Sequence, residues 1–416
     1  MLGCGPTRQE MAAQRAVSDY FVGNYSSARR ILRELADEPD ENFALNNARL
    51  GSTALIEYRL DEAEAAFLRA YEVMNSVGVN NGGRTLGAVL VDEKIRIWKG
   101  EPFERAMVNF YLGLIYYMRE DYENARAAFE NALFKLREYG DEKDGISPDD
   151  YTEIESSFAL GYLMLGKSWI RLGREDRARP HLERAVALQP ELAAIADYEL
   201  NRRANVTLVV EYGNGPHYVL TYAGAIAGFE PTPQSAGPVP PPTVIVNGRR
   251  IDVAGLDRPP VDLVALAQEQ RWQSIDTIRA IKSTIGTAII VGGAAYGAHR
   301  AQRGRLDGDD VLVSGGLIAA GLLLHATSQA DIRQWEMLPR STFVIPLTLP
   351  PGTYDITVAF PPTRSAPAYE QTWRGIVAPD GREATYYIRM RRWESGPFDW
   401  PPMAEDAGQP AAAISR

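Results

Sequence analysis

Cysteine and histidine are both scarce in this chain. Cys4 is the only cysteine in 416 residues, which excludes an intramolecular disulfide and any cysteine-rich metal cluster. The four histidines form no H-E-x-x-H or H-x-H pair, so no zinc ligand set is visible in the sequence; they are His181, His217, His299 and His325. We therefore expect neither a metal site nor a cofactor.

The chain also lacks an excess of positive charge. It carries 44 Lys and Arg against 54 Asp and Glu, which gives a net charge of −10. Phosphate binding needs a basic face, so nucleic acid is excluded as a general partner. No charged segment followed by an apolar stretch opens the sequence, so we expect it to carry no complete signal peptide as written.

Recognisable catalytic motifs are missing as well. The sequence has no G-x-S-x-G elbow and no phosphate-binding Walker loop. The acidic stretch Leu306–Asp310 lacks the twelve-residue calcium-loop pattern, so we expect a solvated turn there. Adjacent carboxylates such as Asp149 and Asp150 are typical of helix starts. We predict a protein that is not an enzyme, although sequence alone does not show which carboxylates the fold brings together.

What the sequence does contain is an internal repeat. A small residue is followed after twelve positions by alanine, then by a large residue and a further alanine, as in Gly113, Ala125, Phe129 and Ala132. The small residues would let two antiparallel helices approach closely, while large residues such as Tyr116 and Phe129 fill the groove to the next pair. The other copies place these residues at Gly51, Ala63, Phe67 and Ala70, at Gly166, Ala178, Leu182 and Ala185, and more weakly at Ala16, Ala28 and Leu32.

This pattern resembles the tetratricopeptide repeat, whose period is about 34 residues. The resemblance implies a helical array over residues 13–200 that binds a protein or peptide on its concave face. Carried over position by position, the protein-binding groove would consist of Phe110, Leu114, Tyr117, Leu163, Lys167, Ile170 and Arg171.

Beyond residue 200 the pattern changes to short β-strands. The stretch "TVIVNGRRIDV" predicts a hairpin across Asn247 and Gly248, and two further hairpins are indicated by turns rich in proline and glycine. Together the strands predict a small β-sandwich over residues 201–393. The predicted fold class is therefore an α+β multidomain protein, with an all-α array first and a sandwich second. Residues 394–416 lack periodicity, and we predict a tail that is disordered beyond Trp400. We expect Trp393, Phe398 and Trp400 to pack back on the sandwich; a docking peptide is the alternative.

A Gly/Ala-rich helical insert, residues 260–335, interrupts the predicted sandwich. Its two apolar runs, Ile285–Ala298 and Val311–Ala326, are 14 and 16 residues long. A bilayer span needs about 20 apolar residues, with a lower limit near 17. We interpret the runs as a buried helical hairpin, and membrane insertion remains the alternative.

The end of this insert carries a second resemblance. The stretch "ADIRQWEMLPRSTFVIPLTLPPGTYDITV" contains Asp331, Arg333 and Trp335 ahead of a strand and a Pro-Pro-Gly turn. This order resembles a family of bacterial lipoproteins that join tetratricopeptide helices to a β domain with a Gly/Ala-rich hairpin. The resemblance implies a location in the cell envelope and a lipid anchor, and it brings no catalytic residues. We expect the three residues to be structural, as an ion pair or cap beside a buried indole.

The resemblance gives a meaning to Cys4. Gly3 and Cys4 match the end of a lipobox, whereas Met1 and Leu2 depart from it. We predict that residues 1–12 are a lipobox remnant and linker, with Cys4 as the lipid attachment site; the alternative is a free cysteine. Gly5 is uncharged, which by analogy fits the periplasmic face of the outer membrane.

Three functions follow from the sequence. We favour an envelope scaffold whose helical array binds another protein or peptide. The first alternative is an enzyme or small-ligand protein with a site between the array and the β domain. The second is an oligomer that inserts the Gly/Ala-rich hairpin into a membrane.

Overall fold

The computed structural model describes residues 7–75, 97–136, 138–139, 153–154, 156–201, 204–221, 226–269, 333–390 and 398–400. Cys4, Asp331 and both Gly/Ala-rich runs lie outside the described residues. The chain divides into two compact units: Met1–Gly215, Pro231–Leu266 and Trp335–Arg416 form the first, and Pro216–Glu230 and Ala267–Gln334 the second. Within the described ranges, no helix combines the length and apolar character needed to cross a bilayer.

The first unit begins with a succession of paired helices, and the two helices of each pair are joined by a short turn. Two-residue strands β1 (Glu138–Tyr139) and β2 (Glu153–Ile154) pair with each other between the third and fourth helix pairs, and a short 3₁₀ turn precedes the last helix. The helices are α1 (Arg8–Phe21), α2 (Tyr25–Ala36), α3 (Phe43–Ile56), α4 (Leu60–Asn75), α5 (Pro102–Met118), α6 (Tyr122–Phe134), α7 (Ala159–Arg171), α8 (Glu175–Leu188) and α9 (Ala193–Leu200).

The repeat pattern sets how each pair packs. A Cβ atom added to Gly51 would lie 2.6 Å from the ring of Phe67, and one added to Gly113 would lie 2.7 Å from the ring of Phe129. Gly166 stands in the same relation to Leu182. The large residue therefore fills space within its own helix pair, and not the groove between pairs as predicted, because the glycine leaves room for it there. The result is a tetratricopeptide-like helical array.

The turn between the two helices of each repeat has a left-handed residue. It lies seven positions after the small residue in every copy, with φ of 84° at Gly23, 56° at Tyr58, 62° at Glu120 and 76° at Gly173. Side chains other than that of glycine disfavour this conformation by about 1–2 kcal/mol. Tyr58 and Glu120 therefore need a compensating contact.

The β region follows the array. Its remaining elements are β3 (Val206–Asn214), β4 (Pro216–Thr221), β5 (Ile226–Pro231), β6 (Thr243–Val246), β7 (Arg249–Ile251), β8 (Val261–Asp262), the short helix α10 (Leu263–Gln268), β9 (Pro339–Leu347), β10 (Gly352–Phe360), β11 (Tyr369–Ala378), β12 (Ala384–Arg389) and β13 (Phe398–Asp399).

Two sheets of the first unit form the predicted sandwich. One has the strand order β12-β3-β9-β8 and the other β13-β11-β10-β6-β7. Both are mixed, because β12 runs parallel to β3 and β13 parallel to β11. Tyr212 of β3 stacks on Phe360 of β10 with ring centroids 4.2 Å apart, and Phe343 of β9 lies 5.7 Å from the same ring. The prediction of a helical array followed by a β region is confirmed.

Two local predictions have clear outcomes. The hairpin across Asn247 and Gly248 joins β6 to β7, with φ of 46° and 77° at the two loop residues, as a type I′ turn requires. Phe398 starts strand β13 and Trp400 packs against Tyr58, in agreement with the prediction that these aromatic residues pack back on the folded chain. Both residues are half-buried, and Phe398 lies against Trp373 of β11.

The second unit is described only in part. Strands β4 and β5 pair with each other, and Tyr218 lies against Phe229 with ring centroids 4.2 Å apart. The backbone N–H of Tyr218 donates to Oε1 of Gln334 at 2.6 Å. Nε2 of Gln268 donates to the carbonyl of Phe229 at 2.9 Å.

Candidate functional site

The predicted protein-binding groove is buried. Arg171 keeps 15% of its side chain exposed, and the other predicted positions are at most 2% exposed; they are Phe110, Leu114, Tyr117, Leu163, Lys167 and Ile170. The chain's own four-stranded sheet and the residue before β12 cover Tyr117, Lys167 and Arg171. The ring of Phe110 packs instead on Phe129 and Phe158 inside the array. The hydroxyl of Tyr117, for example, donates to Oε2 of Glu383 at 3.0 Å. The groove expected to be open to a partner is therefore closed from within the chain.

A buried ionic cluster joins the array to the sheet at this face. Nζ of Lys167, on α7, lies 2.5 Å from Oε1 of Glu199 and 3.0 Å from Oε1 of Glu383. It also donates to Oγ1 of Thr207 on β3 at 3.3 Å. The guanidinium of Arg171 reaches Oε2 of Glu383 at 2.6 Å. Glu383 directly precedes β12, so this carboxylate anchors the start of that strand in the array.

The protonation states follow from these partners. Burial opposes the charge on Glu383, but Lys167 and Arg171 outweigh it and lower the pKa of its carboxyl group. Burial raises the pKa of Glu199, with Lys167 opposing the change. Burial would lower the pKa of Arg171, yet the charge of Glu383 leaves that pKa above its ordinary value. Glu383 is thus the carboxylate that the site holds ionised.

A second buried cluster is centred on Glu211 of β3. Its two carboxylate oxygens accept hydrogen bonds from the hydroxyls of Tyr111, on α5, and Tyr387, on β12, each at 2.7 Å. The guanidinium of Arg389 lies 3.6 Å from the same carboxylate. Burial raises the pKa of Glu211, and Arg389 opposes the change. Burial also keeps the pKa of both tyrosines high, so they remain hydrogen-bond donors.

Tyr58 and Glu120 are the two turn residues other than glycine that have a positive φ. Their side chains contact strand β12 and the residues just before it. The hydroxyl of Tyr58 accepts from the N–H of Tyr387 at 2.6 Å and donates to its carbonyl at 2.9 Å. Glu120 forms an ion pair with Arg382, two residues before β12. In the first and last repeats, the corresponding positions are glycines. The strained backbone conformation therefore occurs at the two turn residues, Tyr58 and Glu120, whose side chains bind β12 or the residues before it.

Trp335, which lies shortly before β9, also contacts the helical array, at the second and third repeats. Its N–H donates to Oε1 of Glu104 at 2.7 Å, and its indole Nε1 donates to Ser52 at 3.1 Å. The indole is buried against Tyr111, with ring centroids 5.7 Å apart. Of the predicted structural motif, Trp335 is thus the buried indole, Arg333 is half-buried, and Asp331 lies outside the described residues.

We predict that Glu104 makes stability fall as pH rises. Burial raises the pKa of its carboxyl group from 4.5 to about 8, so the folded state holds a proton that the unfolded chain has lost. Stability is fully present below pH 4.5, decreases by up to about 1.4 kcal/mol per pH unit towards pH 8, and then levels off. Denaturant unfolding of the wild type and of Glu104→Gln across pH 4–9 checks this. Equal slopes in the two proteins would contradict it.

We also predict that Tyr58→Phe weakens the hold on β12. The change leaves the N–H and the carbonyl of Tyr387 without their partner, which costs about 1–3 kcal/mol. Hydrogen exchange of the Tyr387 amide should accelerate, and the free energy of unfolding should fall. Glu120→Gly is the matched control: it relieves backbone strain and loses only an exposed ion pair worth less than about 1 kcal/mol, so stability should be unchanged or higher. A slow Tyr387 amide in Tyr58→Phe would rule out this role.

Sequence reasoning missed most of these residues. Lys167 was named as a groove position, but its partners Glu199, Thr207 and Glu383 are 32, 40 and 216 positions away. All 14 residues of α3 are buried in the structure. Because this helix includes Asn46, Asn47 and Arg49, its sequence alone does not indicate that it is covered on every side.

Comparison with known proteins gives only distant similarity. No protein-family model matches the sequence, and no curated protein does. A solved structure of MamA has a TM-score of 0.29 and 18% identity over 45% of this chain and 75% of that one. A second MamA structure gives 0.30 and 13% over 48% and 84%. BtubC from P. vanneervenii gives 0.31 and 15% over 44% and 63%. At such scores these similarities carry no argument about function.

Proposed function

We propose that this protein is a scaffold of the bacterial cell envelope that binds another protein and catalyses no reaction. The observation that carries the proposal is the closed concave face: the array holds the chain's own segment around β12 through Lys167, Tyr58 and Tyr117. The array and the sandwich therefore act as one unit. Partners bind to the outer surface of this unit, and not in the groove that the sequence indicated.

The energetics of the interface support this choice. Displacing β12 would leave Lys167 and Glu199 buried without Glu383, and breaking a buried pair in this way costs about 3–5 kcal/mol. The strand is also paired with β3 over six residues, from Ala384 to Arg389. A competing peptide would have to replace both sets of interactions. An outer binding surface requires neither.

Non-enzymatic action is supported by the state of the carboxylates. Glu199 and Glu383 converge between the array and the sheet, where a hydrolytic site was the alternative. Both are 3% exposed or less. Lys167 contacts both carboxylates, and Arg171 forms an ion pair with Glu383. Among the described residues, no group of three or more metal-ligating side chains converges.

Anchoring through Cys4 is part of the proposal. It rests on the single cysteine, its position after Gly3, and the polar residues that follow it. Metabolic labelling with palmitate tests it in a host that processes lipoproteins, using the gene with its native upstream sequence. Label should enter the wild type and be absent from Cys4→Ser. Equal labelling of both, or none in the wild type, would refute the anchor and leave the scaffold proposal to its own test.

The scaffold proposal is tested by affinity purification of the full-length protein from its native envelope, followed by mass spectrometry. The expected result is a protein recovered at a constant ratio that binds the purified scaffold directly. Tyr117→Phe is the informative variant, because Tyr117 is buried in the closed groove and its loss should leave that binding unchanged. If Tyr117→Phe no longer bound the partner, the partner would bind in the groove and not on the outer surface. Failure to recover any direct partner would refute the scaffold.

A further inference from the structure

On one side of the sandwich, tyrosine hydroxyls cap main-chain groups of the terminal strand β12 and of β11 beyond its short pairing with β13. Tyr58 caps the N–H and carbonyl of Tyr387 on β12, as described above. The hydroxyl of Tyr386 caps Val377 on β11 in the same way, accepting from its N–H at 3.1 Å and donating to its carbonyl at 2.7 Å. Trp400 packs on both tyrosines, with ring centroids 4.2 Å and 5.0 Å away. Unpaired edge groups are templates for another chain, and here they are closed.

The other end of the five-stranded sheet has no such cap in the described part of the chain. Strand β7 is terminal there and pairs only with β6. The hairpin loop between β6 and β7 has two residues, and the pair that flanks it, Val246 and Arg249, is hydrogen-bonded. Hydrogen-bonded and non-hydrogen-bonded pairs alternate along an antiparallel ladder, so the next pair, Ile245 and Arg250, is not hydrogen-bonded. The N–H and carbonyl of Arg250 therefore point away from β6. Arg250 is exposed.

A cavity of about 260 Å³ lies beside this free edge. Ile251 pairs with buried Val244 across β6 and so faces the interior, which puts the cavity on the core-facing side of β7. The lining of the cavity is mostly apolar. It comes from β7 and the loop after it (Ile251, Val253 and Ala254), from α9 (Tyr198), and from the end of β9 and the residues that follow (Leu347 and Leu349).

We propose that β7 and this cavity bind an extended segment of a partner protein by strand addition. The inference rests on the proposed scaffold function and assigns it a surface. In strand addition, main-chain hydrogen bonds supply affinity, and pockets for alternate side chains supply specificity. The free edge of Arg250 provides the former, and the cavity receives an inward-facing apolar side chain of the partner.

Charge defines the partner's outward-facing side. Arg250 pairs with Ile245 on the outward face, whereas Arg249 pairs with Val246 on the core-facing side. Both side chains are exposed, and neither side chain forms a hydrogen bond or ion pair with another described residue. Asp252 lies two positions further along, at the cavity wall. The segment that fits carries an acidic side chain opposite Arg250 and avoids one opposite Asp252. In the bound segment, the acidic and the apolar side chains point to opposite faces of the added strand, because successive side chains of a strand do so.

A random heptapeptide library displayed on phage, panned against the full-length protein, is the first test. Enriched sequences should share an acidic residue and a large apolar residue at an odd spacing. The corresponding synthetic peptides, labelled with fluorescein, should bind in fluorescence anisotropy. If no sequence is enriched, or if the enriched sequences lack this pattern, the proposal is wrong.

Three variants locate the binding. Arg250→Pro removes the outward N–H while keeping the pairing with β6, since proline is tolerated at edges; it should weaken peptide binding about tenfold, which corresponds to roughly 1.4 kcal/mol. Val253→Trp should fill the cavity and weaken binding by at least as much. Arg250→Glu keeps the N–H and should shift selection towards basic residues. Arg364→Ala, an exposed arginine elsewhere, should bind like the wild type.

The outcomes separate this inference from the scaffold proposal. Peptides that bind Arg250→Pro, Val253→Trp and Arg250→Glu as tightly as the wild type would refute the β7 site. An envelope partner that these variants retain would refute it too, while leaving the scaffold intact. Peptide binding that the variants lose, without any partner recovered from the envelope, would support the site and count against the scaffold.

Discussion

Replacing Lys167 with methionine is expected to lower the free energy of unfolding by about 3–5 kcal/mol. Methionine has nearly the same length, so the change removes the charge with little loss of packing. Glu199 and Glu383 would then face each other in a site where neither is exposed above 3%, with only Arg171 to offset them. Denaturant unfolding followed by circular dichroism measures the loss, and the Tyr387 amide should exchange faster.

Two further variants test whether charge is the cause. Arg382→Met removes an arginine from an exposed ion pair at the same interface, in which Arg382 and Glu120 keep 62% and 45% of their side chains exposed, so it should cost less than about 1 kcal/mol. Adding Glu199→Gln to Lys167→Met should restore part of the stability, because Glu383 keeps Arg171. If both lysine and arginine variants lost the same amount, the buried cluster would not be what stabilises the closed face.

Phe129→Ala should destabilise the array by about 3–5 kcal/mol. Phe129 is completely buried, and its ring lies directly over Gly113. Glycine has no side chain with which to fill the space, so the truncation leaves a cavity at the centre of the third repeat. The measurement is the free energy of unfolding monitored through the helical signal.

The same helix offers the control. Phe134 is 43% exposed, so Phe134→Ala should change stability by less than about 1 kcal/mol. Gly113→Leu alone should also destabilise, since its side chain would overlap the Phe129 ring. Combined with Phe129→Ala, it should cost clearly less than the sum of the two changes, because the leucine occupies the vacated space. Strict additivity would contradict the contact.

The sequence predicted the array because the repeat is a local rule. The spacing between Gly113 and Phe129 is fixed by helix geometry within one pair, so each copy could be recognised without knowing the rest of the fold. The same holds for the hairpin at Asn247 and Gly248, where two adjacent residues specify the turn. These elements depend on neighbours in the chain, and neighbours are visible in sequence.

The state of the concave face was not predictable in this way. The predicted groove positions lie on α5 and α7, but the burial of Tyr117 and Lys167 depends on Glu383, which lies 266 and 216 residues further along the chain. Lys167 is buried in the structure and needs a counter-ion there, and any of the 54 acidic residues could have supplied it. Nothing local marks Glu383 as the partner.

The sequence by itself therefore determined the helical repeats, the β-strands that follow them and the absence of recognisable catalytic motifs, because these follow from periodicity and residue type. Only the tertiary structure decided that the array is closed on its own sandwich, which places Glu383 beside Lys167 and Tyr387 beside Tyr58. The physical reason is that desolvated charges and strand edges are satisfied by whichever distant groups the fold brings to them. The free edge of β7 emerges for the same reason, as an edge that the described residues do not cap.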